Sequence, residues 1–456
     1  MDALTFRPGS PVHFVGIGGA GMSAIAKVLL ERGVRVSGSD LKPSRPATLL
    51  EAMGARVHIG HDAAHVGDAE VVVVSSAIPE RNPELRAARD AGVRVATRGE
   101  ALAAVLHEHR SIVVAGTHGK TTTTSMIVSV LRAAGRDPTY LVGGGLNDAG
   151  TNAKSGRGDL AVAESDESDG SFLLLSPAIS VVTNVEPDHV DYWASEDALR
   201  EAFGRFVGST GETAVLPAAQ PDVAAWGTTA QLVTFGEEAD VAAADVRYGP
   251  GEVSFDLVAD DERHPVRLRV PGGHNVSNAL AAAAACRAAG LSLEAVAGGL
   301  GEYRGVERRW QLRGEARGVT VIDDYAHHPT EVRATLGAAR PGPWGRVVAV
   351  FQPHRYSRTR AFASEFGASF AGADRVVVTD VYGAGEEPVP GVTGKLVADA
   401  VCRAFPGRPV AYLPHRDELV SYLAATSKPG DAVLTLGAGD VTAVGEELLA
   451  RIAAAR

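Results

Sequence analysis

The segment VVAGTHGKTTTTSM, from Val113 to Met126, runs an apolar strand into a Gly-rich turn and then opens a helix with Lys-Thr. A turn of this kind aims successive backbone N–H groups, and the positive end of a helix dipole, at bound phosphate. Gly116, Thr117, His118 and Gly119 form the turn, and Thr122 follows in the first helical turn. Lys120 adds a mobile cation for terminal phosphates, and the Thr121 hydroxyl can ligate Mg²⁺. Only two residues separate Gly116 from Gly119, so the spacing departs from the common phosphate-loop pattern and defines a narrower class than a generic ATPase. An ATP site is predicted here; the bland alternative is a glycine turn beside a solvated lysine.

Phosphoryl transfer needs a cation to neutralise developing charge. AESDESDGS supplies Glu164, Asp166, Glu167 and Asp169, and Glu164 closes an apolar strand, where a parallel sheet presents its ligands. Glu164 is therefore the expected Mg²⁺ ligand beside Thr121, with Mn²⁺ a possible substitute; the other carboxylates read as loop residues or helix caps. TNVEPDHVDYW offers Asp188, His189 and Asp191 after the next strand. A lone histidine is more often a structural hydrogen-bonder, but this position at a strand's C-terminal edge favours a site role for His189. GGHNVSNA places His274, Asn275 and Asn278 at a helix start. Asn278 can present donor and acceptor to an adenine edge, or the segment simply caps the helix through Asn275 or Ser277.

Further on, IDDYAHHPTEV gathers Asp323, Asp324, Tyr325, His327 and His328, in a spacing that fits no usual zinc pattern. FQPHRYSRTR places Arg355 and Arg358 three apart after a strand, a clamp for a carboxylate or an emerging phosphate, or else a solvated basic face. Near the N-terminus, Gly16, Gly18 and Gly21 spell G-x-G-x-x-G after a strand, with Gly19 and Ala20 between them and Asp40 ending the next strand. That fingerprint admits NAD, another nucleotide diphosphate or a purely structural turn. A second phosphate turn downstream weighs against a dehydrogenase, since hydride transfer has no use for ATP.

The elements that must position these groups alternate strand and helix. Strands are predicted at Val12–Gly16, Val34–Ser39, Val71–Ser75 and Val93–Thr97, with a helix over Gly21–Arg32. A second unit continues through strands at Leu160–Ser165 and Ile179–Asn184. GEVSFDLVADDERHPVRLRV alternates with period two about a turn and predicts an antiparallel hairpin. Asn278–Ala289 is Ala-rich and helical. A third unit opens near Gly314, with strands at Val319–Ile322, Arg346–Phe351, Arg375–Thr379 and Ala432–Leu436. The expected architecture is α/β throughout in three consecutive domains. These are a Rossmann-like domain over 1–100, a central P-loop-type sheet with an antiparallel hairpin over 101–312, and a second Rossmann-like domain over 313–456.

Composition sets outer bounds. The chain has 456 residues, 45% of them hydrophobic and 22% charged, as a packed enzyme requires. A net charge of −11 argues against nonspecific nucleic-acid binding. Cys286 and Cys402 are too few for a disulfide framework and fit a reducing cytosol. No signal peptide is visible and no apolar run approaches the ~20 residues of a membrane helix, so a cytoplasmic location without membrane partner is expected.

Taken together, GIGGAGMS, GSD, VVSSAIP, GTHGKTTTTSM, AESDESD, TNVEPDHVD, GGHNVSNA, ERRWQ, DDYAHHPTEV and FQPHRYSRT closely resemble the Mur ligase family of ATP-dependent, amide-forming enzymes of peptidoglycan synthesis. The resemblance covers essentially the whole chain. The GIGGAGMS start is similar to members that add the first amino acid, which implies UDP-N-acetylmuramate, L-alanine and ATP as substrates and a monomer or weak homodimer. A relative that attaches a whole tripeptide to the same sugar nucleotide is the alternative, and a non-catalytic nucleotide binder the non-enzymatic one. By this resemblance Gly16, Gly18, Gly19, Ala20, Gly21, Asp40, His61 and Ser75 hold the UDP-sugar. Lys120 and Thr121 serve ATP phosphates and a first Mg²⁺ with Glu164, and His189 serves a second. His274, Asn275, Asn278, Arg309 and Asp324 surround adenine and ribose. Tyr325, His327, His354, Arg355 and Arg358 face the amino acid and the reacting centre.

Overall fold

Short runs of Val, Ile and Ala, each buried on both faces, make the central strands of three separate sheets; a computed structural model describes residues 4–75, 77–188 and 192–454 of the chain. The first sheet has five parallel strands in the spatial order Arg56–Ile59, Arg35–Asp40, Pro11–Val15, Val71–Val74 and Arg94–Thr97. Strand order reverses between Pro11–Val15 and Val71–Val74, and the crevice beyond such a reversal is where open α/β sheets bind ligands. Gly16 and Ser75 flank it from the two sides.

The second sheet has ten strands. Arg110–Ala115 lies inside it, parallel to Leu160–Glu164 on one side and Ile179–Val182 on the other. The phosphate turn therefore emerges between the loops that follow those two strands. The expected hairpin is present as Glu252–Ala259 against Glu262–Leu268, paired through Ala259 and Glu262. Burial alternates residue by residue along Glu252–Ala259, as its period-two pattern requires. Val241–Gly249 extends the hairpin to a three-stranded antiparallel meander. The Ala-rich helix runs over Gly273–Ala288, starting before Asn278, and its small side chains let it pack closely on the helix Lys120–Ala133.

The third sheet is parallel over Val319–Asp324, Asp431–Leu436, Arg346–Phe351, Arg375–Val378 and Val410–Tyr412. Its first strand, Gln311–Ala316, is an antiparallel edge that begins before Gly314 and carries a bulge between Leu312 and Gly314. Gln311–Ala316 is not announced by an apolar run, because an edge strand buries little and needs none. Among the described residues no helix is long and apolar enough to cross a membrane.

Candidate active site

Two glycines give the phosphate turn its shape. A Cβ on Gly116 (φ +130°) would lie 2.1 Å from the Thr183 hydroxyl, and one on Gly119 (φ +80°) 2.3 Å from Asn278 Oδ1. Asn184 braces the turn reciprocally: its Oδ1 accepts from the His118 N–H at 2.9 Å and its Nδ2 donates to the His118 carbonyl at 3.0 Å. Thr117 donates its N–H to the Asn184 carbonyl. The helix that follows begins at Lys120 with no side-chain cap, so its first amides keep their donors for a ligand. Asn278 packs behind the turn, held by Asn275, whose own Nδ2 donates to the Pro271 carbonyl.

Lys120 Nζ donates to the Gly116 carbonyl at 2.7 Å and to Glu167 at 2.7 Å, with Asp166 at 3.6 Å. Burial works against the ammonium, but Glu167 and Asp166 outweigh it and hold Lys120 protonated. Glu164 is half-buried at the end of its strand, beside Gly143 and the Thr121 hydroxyl. Burial pushes its carboxyl up, and its Oε2 has no hydrogen-bond partner. A buried carboxylate oxygen without a partner beside a threonine hydroxyl is a donor set suited to a hard divalent cation. His189 lies outside the described residues.

The middle and third sheets meet over this turn through three charges the sequence does not pair. His118 stands between Glu186 (3.4 Å) and Glu331 (3.6 Å). Burial disfavours its charge, but the two carboxylates raise its pKa to about 9, so it bridges the two domains as a cation. Glu186, kept near about 2 by His118 and Thr330, also accepts from the Thr330 hydroxyl at 2.7 Å. Glu331 accepts from the His327 N–H and lies 3.4 Å from Arg309. His118, Glu186 and His328 lie close enough together to suggest a metal cluster. The ring Nδ1 of His328, however, caps its helix by accepting from Thr330, and His118 is already charged, so the group reads as an electrostatic contact.

Arg358 is the second bridge. Its Nη2 donates to both carboxylate oxygens of Asp188 at 2.9 and 3.0 Å and its Nε donates at 3.2 Å, both residues being buried. The guanidinium expected to face the amino acid thus has a partner inside the chain. Its Nη1 also donates to His354 at 3.3 Å, and His354 contacts the ring of His327. Tyr325 lies beneath Arg308 and Arg309, at 4.9 and 5.1 Å. Asp324 accepts from the N–H groups of Trp310 and Ala326, and burial raises its carboxyl to about 6. His274 stands exposed in the first turn of the helix Gly273–Ala288. Arg355 adopts φ +67°, ψ 140°, a conformation costly for any residue with a Cβ, at the head of the helix Tyr356–Ala361. Such stored strain is characteristic of sites that hold a side chain in place for a ligand.

The N-terminal turn forms a separate centre. The Gly18 N–H donates to Asp40 Oδ2 at 2.9 Å, so Asp40 shapes the turn as well as facing the crevice. Gly16 and Ile17 both donate to the Ser39 carbonyl. His61 joins Ser39 at a buried carboxylate, Glu84. The two centres are linked by Arg98, whose stem lies against Gly21 and whose Nη2 donates to Asp169 and Ser171. Arg98, Glu186 and Glu84 carry no local sequence signal; Glu331 does, because His328-Pro-Thr-Glu331 has the form of a capping box with proline at the first helical position.

Three family models match the chain in order: "Mur ligase family, catalytic domain" over residues 11–110, "Mur ligase middle domain" over 114–286 and "Mur ligase, glutamate ligase domain" over 308–439. UDP-N-acetylmuramate–L-alanine ligase of Rubrobacter xylanophilus is 52% identical, with 97% of this chain and 100% of that protein covered. The protein of the same name from Kineococcus radiotolerans is 50% identical, covering 96% and 95%. Among solved structures, UDP-N-acetylmuramate-alanine ligase MurC of Thermotoga maritima superposes with a TM-score of 0.83 at 31% identity, covering 97% and 98%. A murein peptide ligase of Psychrobacter arcticus gives 0.72 at 25% identity, covering 98% and 100%. With its glycine turns, its three sheets and these matches over nearly its whole length, the chain belongs to the Mur ligase family.

Proposed function

We propose that the chain joins L-alanine to the lactyl carboxylate of UDP-N-acetylmuramate, with ATP converted to ADP and phosphate, in the synthesis of peptidoglycan precursors. The observation that carries this reading is the pair of glycine turns, one at the switch point of the first sheet and one inside the second, in a chain half identical to ligases of that name. A dehydrogenase would need only the first turn.

A carboxylate is a poor electrophile and must be activated. An oxygen of the lactyl carboxylate attacks the γ-phosphorus of ATP, the bond to the β–γ bridging oxygen breaks, and ADP leaves behind an acyl phosphate. The neutral amine of L-alanine then attacks the acyl carbon; the tetrahedral species expels phosphate and loses a proton to give the amide. Lys120, held charged, turns from its carbonyl and carboxylate partners toward the terminal phosphates. The uncapped helix amides from Lys120 onward cradle the phosphate chain. Thr121 and Glu164 would hold Mg²⁺, with His189 as the proposed ligand of a second ion; a bound divalent cation neutralises charge on the transferring phosphoryl group.

Asn278, Arg309 and Asp324 border the adenosine side, and Arg355 with His354 and Arg358 the amino-acid side. The bridges His118–Glu331 and Arg358–Asp188 close the third domain over the turn and keep water from the acyl phosphate. A cytoplasmic location follows from the substrates, which are soluble nucleotides and an amino acid. Mass spectrometry of the sugar nucleotide after incubation with Mg-ATP and L-alanine tests the reading: an alanyl amide is expected, and unchanged sugar nucleotide would refute it.

A further inference from the structure

The first domain contains a buried carboxylate that the reaction does not use. Glu84 is fully buried, at the second position of the helix Pro83–Asp90, where Asn82 caps its own N–H. Ser39 Oγ donates to its Oε2 at 2.6 Å and His61 Nδ1 lies 2.9 Å from the same oxygen. His65 Nδ1 lies 2.8 Å from Oε1, and His13 Nε2 is 3.7 Å away. Burial disfavours the charge, but the Ser39 and His65 hydrogen bonds, with His13 close by, hold the carboxyl at about 2, so it acts only as an acceptor.

An acceptor-only partner dictates the protonation of each ring that touches it. His61 must carry a proton on Nδ1, directed inward, so that in the neutral ring the lone pair is on Nε2, directed away from Glu84. His61 follows the strand Arg56–Ile59 at the C-terminal edge of the sheet, directly after Gly60, whose N–H donates to the Asp40 carbonyl at 2.8 Å. Ser39, the other partner of Glu84, receives the Gly16 and Ile17 N–H groups on its carbonyl at 2.8 and 3.0 Å. One carboxylate thus braces both the glycine turn and the histidine beside it.

We propose that Glu84 is a positioning residue of the sugar-nucleotide site: it fixes His61 as the Nδ1–H tautomer, so that Nε2 accepts a hydrogen bond from an N–H or O–H donor of the bound nucleotide sugar. The proposal rests on the first domain being the UDP-sugar site. Glutamine at this position keeps one acceptor oxygen but turns the other into a donor, which must then face either the Ser39–His61 pair or His65.

The test has two arms on the full-length chain. Glu84→Gln is expected to raise the KM for UDP-N-acetylmuramate about tenfold while kcat and the KM for ATP move less than about twofold, and Glu84→Asp to recover part of the loss. Equal KM values in the wild type and Glu84→Gln would overturn the role. The second arm needs no folded variant of Glu84: long-range ¹H–¹⁵N correlation of the wild-type histidines, with the His61 signal identified by its loss in His61→Gln. An Nδ1–H tautomer is expected, and an Nε2–H tautomer overturns the proposal. Failure of the wild type to bind UDP-N-acetylmuramate at all would instead remove the site reading on which it rests.

Discussion

Arg358 and Asp188 meet head-on across the boundary between the second and third sheets, with both oxygens of the carboxylate held by one guanidinium in a buried setting. Two charges taken out of water in this way repay their desolvation only while both remain, because either one alone is left uncompensated. Asp188→Ala should therefore destabilise the docking of the third domain by about 3 kcal/mol, as removal of one partner of a buried pair does. Urea unfolding followed by probes in each domain measures it. Restoration of stability in the double variant Asp188→Ala/Arg358→Met would confirm that the buried charge, and not lost packing, is the cause.

Lys120 touches two turn carbonyls and Glu167 without ligand, and it is the cation nearest to where the terminal phosphates are expected. Lys120→Ala should lower kcat by roughly 10³-fold or more, since it removes charge stabilisation from a phosphoryl transfer. Binding of UDP-N-acetylmuramate, measured by calorimetry, should be unchanged because the first glycine turn is built from other residues. Parallel loss of both would show that the two centres are not separate.

Glu164 stands beside the Thr121 hydroxyl, with one of its carboxylate oxygens buried and unpartnered. Glu164→Gln should shift the Mg²⁺ concentration for half-maximal activity upward by about tenfold or more, because a neutral amide replaces a charged ligand. A metal titration of initial rates reads the shift, and superimposable curves would remove Glu164 from the cation site.

His118 provides a pH signature. Its folded pKa of about 9 lies above the ordinary value of 6.5, so the stabilisation it gives is complete below that ordinary value and is lost as pH rises through about 9. The Tm of the ligand-free chain should fall between pH 7 and about 10. In His118→Gln that part of the slope should disappear, as thermal scans across the range will show.

How much of this could be read from the residues alone depends on how far apart the partners lie. Both glycine turns are local: strand, turn and helix signals adjoin within a dozen residues, and the glycines are required by neighbours such as Thr183 and Asn278. Glu164 was legible for the same reason, since it ends an apolar run. Arg358 was visible as a cation, but its partner Asp188 is 170 residues away and is set by how two domains dock. The His118 bridge depends on that same docking. Glu84 is hidden differently, in a helix whose own pattern gives no reason to expect a buried carboxylate among three histidines. The polar edge strand Gln311–Ala316 leaves no mark in the sequence because pairing on one side, rather than burial, defines it.

The most direct measurement of the central claim is phosphate release from Mg-ATP in the presence of UDP-N-acetylmuramate, with L-alanine compared against the tripeptide L-Ala-γ-D-Glu-diaminopimelate. Release that requires both the sugar nucleotide and L-alanine is the predicted result. Release only with the tripeptide, or none with either, would contradict it.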